Sequence, residues 1–83
     1  MNKVNIVVKI STGEDRLALD ETEVFDTYEK AKEYLEKLYH ETLDDVEGYD
    51  LLDDELGENY FIVEIDDDYS TKYYGRIKVR EIQ

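Results

Sequence analysis

Carboxylates are the side chains of this sequence that are most able to do chemistry. The 83 residues include 23 Asp and Glu against 10 Lys and Arg, so the formal net charge is −13 at pH 7. Thirteen of the acids fall between Leu38 and Thr71, where there is no Lys or Arg, and the remainder of the chain holds ten residues of each sign. We call residues 38–71 the acidic segment. A dense array of carboxylates can bind metal ions or a basic protein surface.

Calcium is the metal ion that these oxygen atoms would suit, but their spacing does not fit an EF-hand loop. Such a loop needs an oxygen ligand at position 1 and a glycine at position 6. With Gly48 at position 6, Leu43 falls at position 1, and with Gly57 there, Leu52 does. The run Asp66-Asp67-Asp68 is typical of weak binding of a divalent ion. A calcium-binding module therefore stays as one alternative function.

Residues for enzymatic catalysis are scarce. The chain has no cysteine, a single histidine at position 40, and serine only at positions 11 and 70. A nucleophile, a base and an orienting group are thus not available as a set. The string His40-Glu41-Thr42-Leu43-Asp44 is similar to the zinc motif HExxH, but Asp44 replaces the second histidine ligand. We predict a protein that is not an enzyme and needs no metal or cofactor.

A row of basic residues near the end of the chain suggests nucleic-acid binding at first sight. The row consists of Arg76, Lys78 and Arg80. Tyr73 and Tyr74 precede it, and charge combined with stacking is how single strands are bound. However, the negative charge of the whole chain repels phosphate, and we expect Glu64 and Asp66 to pair with these bases across neighbouring strands. The sequence therefore predicts no direct contact with nucleic acid.

Residue types that alternate in polarity predict strands in the first and last thirds of the chain. The first strand is expected to bury one face made of Val4, Ile6, Val8 and Ile10. A hairpin turn over residues 11–15 and a second strand from Arg16 to Asp20 follow. In the last third, a strand from Tyr60 to Ile65 and another from Tyr74 to Ile82 flank a loop.

The middle of the chain has the period of a helix. Apolar and small residues recur at intervals of three and four, namely Tyr28, Ala31, Leu35, Leu38 and Thr42. Asp26 is the expected N-cap, with Glu29 completing a capping box, and Gly48 is the expected stop. A second, shorter helix is predicted from Leu51 to Leu56.

These elements predict one α+β domain over residues 1–83, with the order ββα(α)ββ. We expect a four-stranded, mostly antiparallel sheet with the long helix packed on one face. The apolar run over residues 1–10 is too short for a signal peptide or a membrane span. A protein that stays in the cytoplasm and does not enter a membrane is therefore expected.

The acidic segment is the predicted binding site for a basic protein partner. Apolar residues at intervals through the segment indicate that it is ordered, and eight Tyr against two Phe is typical of surfaces that contact other proteins. Carboxylates on ordered structure can occupy a groove that otherwise binds phosphates. The predicted partner-binding residues are Asp44, Asp45, Glu47, Tyr49, Asp50, Asp53, Asp54, Glu55, Glu58, Asp66, Asp67, Asp68 and Tyr69.

In size, charge layout, tyrosine content and lack of cysteine, the chain resembles the small acidic inhibitor proteins of phages. DNA-mimicking anti-CRISPR and anti-restriction proteins belong to this class. The resemblance lies in the composition of the acidic segment and in no motif. It implies a protein in the cytoplasm of the host cell that inhibits a basic nucleic-acid-binding enzyme, such as a CRISPR or restriction nuclease, by covering its nucleic-acid site.

Two other hypotheses remain open. Nuclease immunity proteins share the same features and would act in the same way. A small adaptor or protein-interaction module would instead use a sheet edge or the tyrosines, with Tyr60 and Tyr73 as its contacts. The acids would then serve only to keep the protein in solution.

Overall fold

A computed structural model describes residues 2–14 and 16–82 of the chain, and in them one helix and five strands. The elements are β1 Asn2–Gly13, β2 Arg16–Phe25, α1 Tyr28–Asp45, β3 Leu51–Leu56, β4 Tyr60–Ile65 and β5 Lys72–Ile82. The strands form one sheet in the order β2-β1-β5-β4-β3, and every neighbouring pair is antiparallel. Asp15, which belongs to the predicted first turn, lies outside the described residues. The α+β class is confirmed.

The predicted number of strands is wrong, because residues 51–56 form an edge strand and not a second helix. β3 pairs with β4 through a short turn over residues 57–59, with a bulge at Leu52. All six of its residues are exposed, so the strand has no buried face to impose an alternating pattern on its sequence. A helix of six residues would gain too few hydrogen bonds to offset its nucleation. Pairing with β4 satisfies the backbone better.

Helix α1 lies on one face of the sheet, and the core is formed between them. The helix buries Ala31, Leu35, Leu38 and Thr42, which confirms the predicted stripe. The sheet contributes Val7, Phe61, Val63, Ile65 and Ile77. Phe61 packs directly against the backbone of Gly75, where an added Cβ atom would lie 2.1 Å from the ring. The core is therefore small and closely packed.

The helix begins one residue later than predicted. Thr27 is the N-cap, and its hydroxyl accepts a hydrogen bond of 3.3 Å from the backbone N–H of Lys30. Asp26 instead forms an ion pair of 3.1 Å with the ammonium group of Lys30. At the other end, Gly48 follows the helix with φ of +100°, a conformation that favours glycine after a helix. The helix itself ends at Asp45 with Val46 as its C-cap, so it stops two residues before the predicted glycine.

The face of β1 that meets the helix is also different from the expected one. Asn5 and Val7 are buried beneath α1, whereas the alternate set of Val4, Ile6, Val8 and Ile10 is only half-buried. This set points to the opposite side of the sheet, which we call the open face. The set beneath the helix is mostly polar, with Val7 as its apolar member beside Asn5 and Lys9. Alternation therefore pointed to the other face, and the helix packs on this one because Phe61, Val63, Ile65 and Ile77 of the neighbouring strands are buried there.

Candidate functional site

Two loops of the acidic segment meet at one end of the molecule. One follows α1 and the other joins β4 to β5. The backbone N–H of Asp66 donates a hydrogen bond of 2.8 Å to the carbonyl of Asp50, and Tyr49 lines a shallow hollow together with residues 66–69. We call residues 44–50 and 66–69 the acidic end. The chain passes through it twice, which is why the charge density is high there.

Nine of the thirteen predicted partner-binding residues lie at the acidic end. They are Asp44, Asp45, Glu47, Tyr49, Asp50, Asp66, Asp67, Asp68 and Tyr69. All of them are exposed except Asp67, which is half-buried. A second hollow beside Asp44 and Asp45 is lined by Glu21, Glu41 and Lys9. The negative surface therefore extends from the acidic end onto the last turns of α1 and the adjacent part of β2.

The other four predicted residues lie elsewhere. Asp53, Asp54 and Glu55 follow one another on the edge strand β3, so their side chains alternate between the two faces of the sheet. Asp54, opposite Val63, is on the helix side, while Glu55 is opposite Ile62 on the open face. Glu58 lies in the turn between β3 and β4, at the far end of that strand pair from the acidic end. These residues do not form one surface with the nine.

Asp67 holds its own loop together. Its carboxylate accepts hydrogen bonds from the Thr71 hydroxyl (2.7 Å), the Thr71 backbone N–H (2.9 Å) and the Tyr69 backbone N–H (3.1 Å). The Thr71 hydrogen bonds, with that of the hydroxyl foremost, lower the pKa of Asp67 below its ordinary value. This residue shapes the acidic end instead of offering a free charge to a partner.

Sequence reasoning missed the role of three tyrosines on α1, which tie the helix to the sheet. The Tyr28 hydroxyl donates to Asn59 Oδ1 at 2.5 Å, the Tyr34 hydroxyl donates to Glu21 at 2.8 Å, and the Tyr39 hydroxyl donates to Asp54. Burial and the bond to Glu21 raise the pKa of Tyr34 to about 12. The bond to Asp54, with burial, raises the pKa of Tyr39 to about 12. The sequence did contain one signal for this role, because the spacing of these tyrosines places them beside the buried stripe of α1.

The tyrosines of the acidic end have a different environment. Tyr49 and Tyr69 are 54% and 53% exposed, respectively. Tyr60 and Tyr73, the contacts of the adaptor hypothesis, are less accessible to a partner. The Tyr60 hydroxyl donates to Glu55 at 2.7 Å, and Tyr73 packs against the core. Burial, and then the charges of Asp20, Asp67 and Asp45, raise the pKa of Tyr73. Tyr49 and Tyr69 are thus the more accessible rings.

The carboxylates of the acidic end have no cationic partner in the part of the chain that the structure describes. Across residues 2–14 and 16–82, the one ion pair within 4.0 Å is that between Lys30 and Asp26. No Lys or Arg occurs in the acidic segment itself. Lys9 lines the hollow beside Asp44 and Asp45, but no ion pair among the described residues neutralises the carboxylates of this end.

Comparisons with protein-family models, curated proteins and solved structures found no match to this chain.

Two further findings concern metals and membranes. In the described ranges, no three His, Asp or Glu side chains are grouped so that they could hold a metal ion. The same residues include no helix with the length and hydrophobicity that a membrane crossing requires.

The basic row of β5 does not pair as the sequence suggested. Glu64 lies opposite Lys72, and Arg76 lies opposite Tyr60, so the predicted partners Glu64 and Asp66 are wrong. On the other side, the row borders the apolar residues of β1, with Val8 opposite Arg76 and Ile6 opposite Lys78. The row therefore lies on the open face, beside an aliphatic surface.

Proposed function

We propose that this protein binds, through its acidic end, a basic surface of a nucleic-acid-binding enzyme and keeps nucleic acid away from it. The observation that carries the proposal is the set of exposed carboxylates at this end with which no Lys or Arg among the described residues forms an ion pair. Their free charge is available to a cationic partner, such as the groove of a CRISPR or restriction nuclease. The protein would act as a stoichiometric inhibitor.

The physical basis is competition for the same cations. A groove that binds duplex DNA is built for about one negative charge per ~1.7 Å of helix axis, and a folded array of carboxylates can occupy it. Opposite potentials also accelerate the encounter of the two proteins. The hydrogen bonds of Asp67 within its loop and the bond between Asp66 and Asp50 hold the array before binding. Less conformational entropy is then lost on docking.

The exposed aromatic rings complete the surface. Tyr49 and Tyr69 line the same shallow hollow as Asp66 and Asp68. Tyrosine can bury a large apolar area while its hydroxyl stays hydrated, and it is frequent among the residues that dominate binding energies. These two rings would supply the apolar contacts that charge alone does not provide.

The test measures binding to, and inhibition of, a panel of purified CRISPR and restriction nucleases at increasing salt concentration. We expect one-to-one inhibition of DNA cleavage and an affinity that falls steeply as salt rises. A triple variant that removes three charges from the acidic end, Asp44→Asn, Asp45→Asn and Glu47→Gln, should weaken binding at least about tenfold, which corresponds to ~1.4 kcal/mol.

The matched control removes three charges from the first turns of α1, which lie away from the acidic end. It carries Glu29→Gln, Glu33→Gln and Glu36→Gln, so both variants have the same net charge. The control should inhibit as well as the wild type does. Equal loss in the two variants, or inhibition that salt does not affect, would contradict the proposal, because neither result needs a localised negative surface.

A further inference from the structure

Strand β2 is an open edge of the sheet, and β1 is its one neighbour among the described strands. In an edge strand, alternate residues point their backbone N–H and C=O groups away from the sheet. Glu21 lies opposite Lys9 and Leu19 lies opposite Ile10, so Asp20 is the extra residue of a bulge. Beyond the bulge, residues 21–25 pair regularly with β1. These five residues therefore form an edge to which one more strand can bind through backbone hydrogen bonds.

A groove runs along this edge between β2 and α1. Glu23 lies opposite Val7, which is buried beneath the helix. Because side chains alternate along a strand, Glu21 and Phe25 point to the same side of the sheet as Glu23 does. Tyr34 of the helix meets both of them, since its hydroxyl donates to Glu21 at 2.8 Å and its ring lies 5.2 Å from that of Phe25. Every second side chain of an added strand would point into this groove.

The groove is acidic at the end where Glu21 lies. The hollow beside Glu21 is lined by Lys9, Leu38, Glu41, Asp44 and Asp45, so carboxylates outnumber the cation there. Glu23 is exposed, and it forms no ion pair within residues 2–14 and 16–82. Opposite charges on neighbouring strands stabilise a sheet. The positions of an added strand opposite Glu21 and Glu23 therefore favour Lys or Arg.

The groove is aromatic at its other end. Phe25 and Tyr34 line a hollow there together with Lys30, Glu33 and Lys37. The ammonium group of Lys37 lies 5.7 Å from the centre of the Tyr34 ring. Two of the three charged residues are cations, so a basic side chain is disfavoured at this end, whereas an apolar one would pack on the two rings. The position opposite Phe25 therefore favours an apolar residue.

Charge selects against a second copy of this chain as the added strand. Pairing two β2 strands over residues 21–25 would bring Glu21 and Glu23 of one copy beside those of the other, and like charges next to each other destabilise a sheet. The other edge strand, β3, has the sequence LLDDEL, so it would be repelled as well. Charged side chains on edge strands protect sheets against self-association. The same charges attract a basic strand.

We propose that residues 21–25 of β2 bind an extended segment of another protein, which adds a sixth strand to the sheet and alternates basic with apolar side chains. The segment runs antiparallel to β2, because antiparallel pairing is the more stable kind. From its N-terminus, its five residues lie opposite Phe25, Val24, Glu23, Thr22 and Glu21. In that order they are apolar, aliphatic, basic, aliphatic and basic. The aliphatic residues extend the open face, where Val24 is 56% exposed. This binding goes beyond the proposed inhibition of a nuclease and does not require it.

The test measures the binding of a fluorescein-labelled peptide with the central sequence Phe-Val-Lys-Val-Lys by fluorescence anisotropy. The wild type should bind one peptide per chain, and the peptide Phe-Val-Glu-Val-Glu should not bind. Glu23→Lys, at an exposed position of the groove, should raise the dissociation constant at least about tenfold. Asp53→Lys is the matched control, since Asp53 is exposed on the other edge strand and the charge change is the same. It should bind the peptide as the wild type does.

Methylation of the peptide backbone tests whether the added strand forms. One peptide is N-methylated at its second and fourth central residues, and another at its third and fifth. In a paired strand, one of these sets of amides points toward β2 and the other points away, so one peptide should lose binding and the other should keep it. Absence of binding by the wild type would overturn the proposal, as would equal losses with the two methylated peptides, equal binding of the Glu peptide, or equal effects of Glu23→Lys and Asp53→Lys. No nuclease enters this assay, so its failure is distinguishable from failure of the proposed function.

Discussion

At the scale of single residues, carboxylates with the same sequence context have different roles. Asp66, Asp67 and Asp68 are consecutive, yet Asp67 alone accepts three hydrogen bonds within its loop. Its lowered pKa means that the folded state binds its proton less readily than the unfolded chain does. The group therefore stabilises the fold above its ordinary pKa, and this contribution is lost as the pH falls through the folded value.

Asp67→Asn should reduce the acid sensitivity of the protein. The unfolded pKa of Asp is about 3.9, so the wild type should lose this part of its stability as the pH falls below about 4. The variant is less stable at neutral pH, because an amide cannot accept all three hydrogen bonds, and its stability should fall less between pH 5 and 3. Urea unfolding across that range measures the difference. Asp68→Asn is the control, and an identical pH profile for the two variants would be contrary evidence.

Gly75 is a second residue whose role depends on a contact, in this case with the ring of Phe61. Replacing it with Ala would place a methyl group against the Phe61 ring in a packed core. We expect Gly75→Ala to lower the free energy of unfolding by about 1–3 kcal/mol, measured by urea denaturation. Phe61→Leu removes the obstructing ring edge, so the double variant should lose less than the sum of the two single losses. Strict additivity would show that the two residues do not touch.

At the scale of elements, tyrosine side chains fasten the helix at both edges of the sheet. Tyr34 reaches β2 and Tyr39 reaches β3, so α1 is held across the whole width of the sheet although it packs mainly on the central strands. Both phenols have pKa values of about 12 in the folded protein. Their ordinary value in an unfolded chain is about 10.

These two bonds should make the protein sensitive to alkali. A raised folded pKa gives stability that is complete below pH ~10 and lost as the pH rises toward ~12. Tyr34→Phe and Tyr39→Phe should each lose about 0.5–1.5 kcal/mol of unfolding free energy at neutral pH. Between pH 9 and 11.5, the double variant should then lose less unfolding free energy than the wild type does. Urea unfolding at several pH values in that range measures the difference. A double variant as alkali-sensitive as the wild type would contradict this role.

At the scale of the whole molecule, the uneven charge acts against folding. A net charge of −13 repels itself most strongly at the acidic end, where two loops bring their carboxylates together. At physiological ionic strength, salt screens the repulsion between exposed charges that lie more than about 8–10 Å apart. We therefore expect salt to stabilise the fold, even though it weakens the one ion pair found among the described residues.

The melting temperature should rise as sodium chloride is added. In the variant Asp44→Asn, Asp45→Asn, Glu47→Gln the rise should be smaller, because part of the repulsion has been removed. Differential scanning calorimetry at several salt concentrations, with the Glu29, Glu33 and Glu36 variant as the control of equal charge, measures the effect. A rise of the same size in both variants would show that the repulsion is spread evenly over the molecule.

The sequence by itself determined the elements that have one buried face. The stripe of α1 and the alternation of Phe61, Val63 and Ile65 in β4 follow from periodic burial, so periodicity was enough to find them. It also determined the concentration of negative charge in residues 38–71. The partner-binding function assigned to that charge stays a prediction.

Only the tertiary structure decided the features that depend on neighbours distant in the chain. β3 has no buried face, so its pairing with β4 left no pattern in its sequence. The strand order brought residues 44–50 beside residues 66–69 and separated Asp53, Asp54, Glu55 and Glu58 from them. The single helix covered the face of β1 that carries Asn5 and Val7 and left the more apolar face open. The burial of residues that recur at a regular local spacing can be predicted from the sequence. Contacts between segments that are distant in the chain depend on how the whole chain folds.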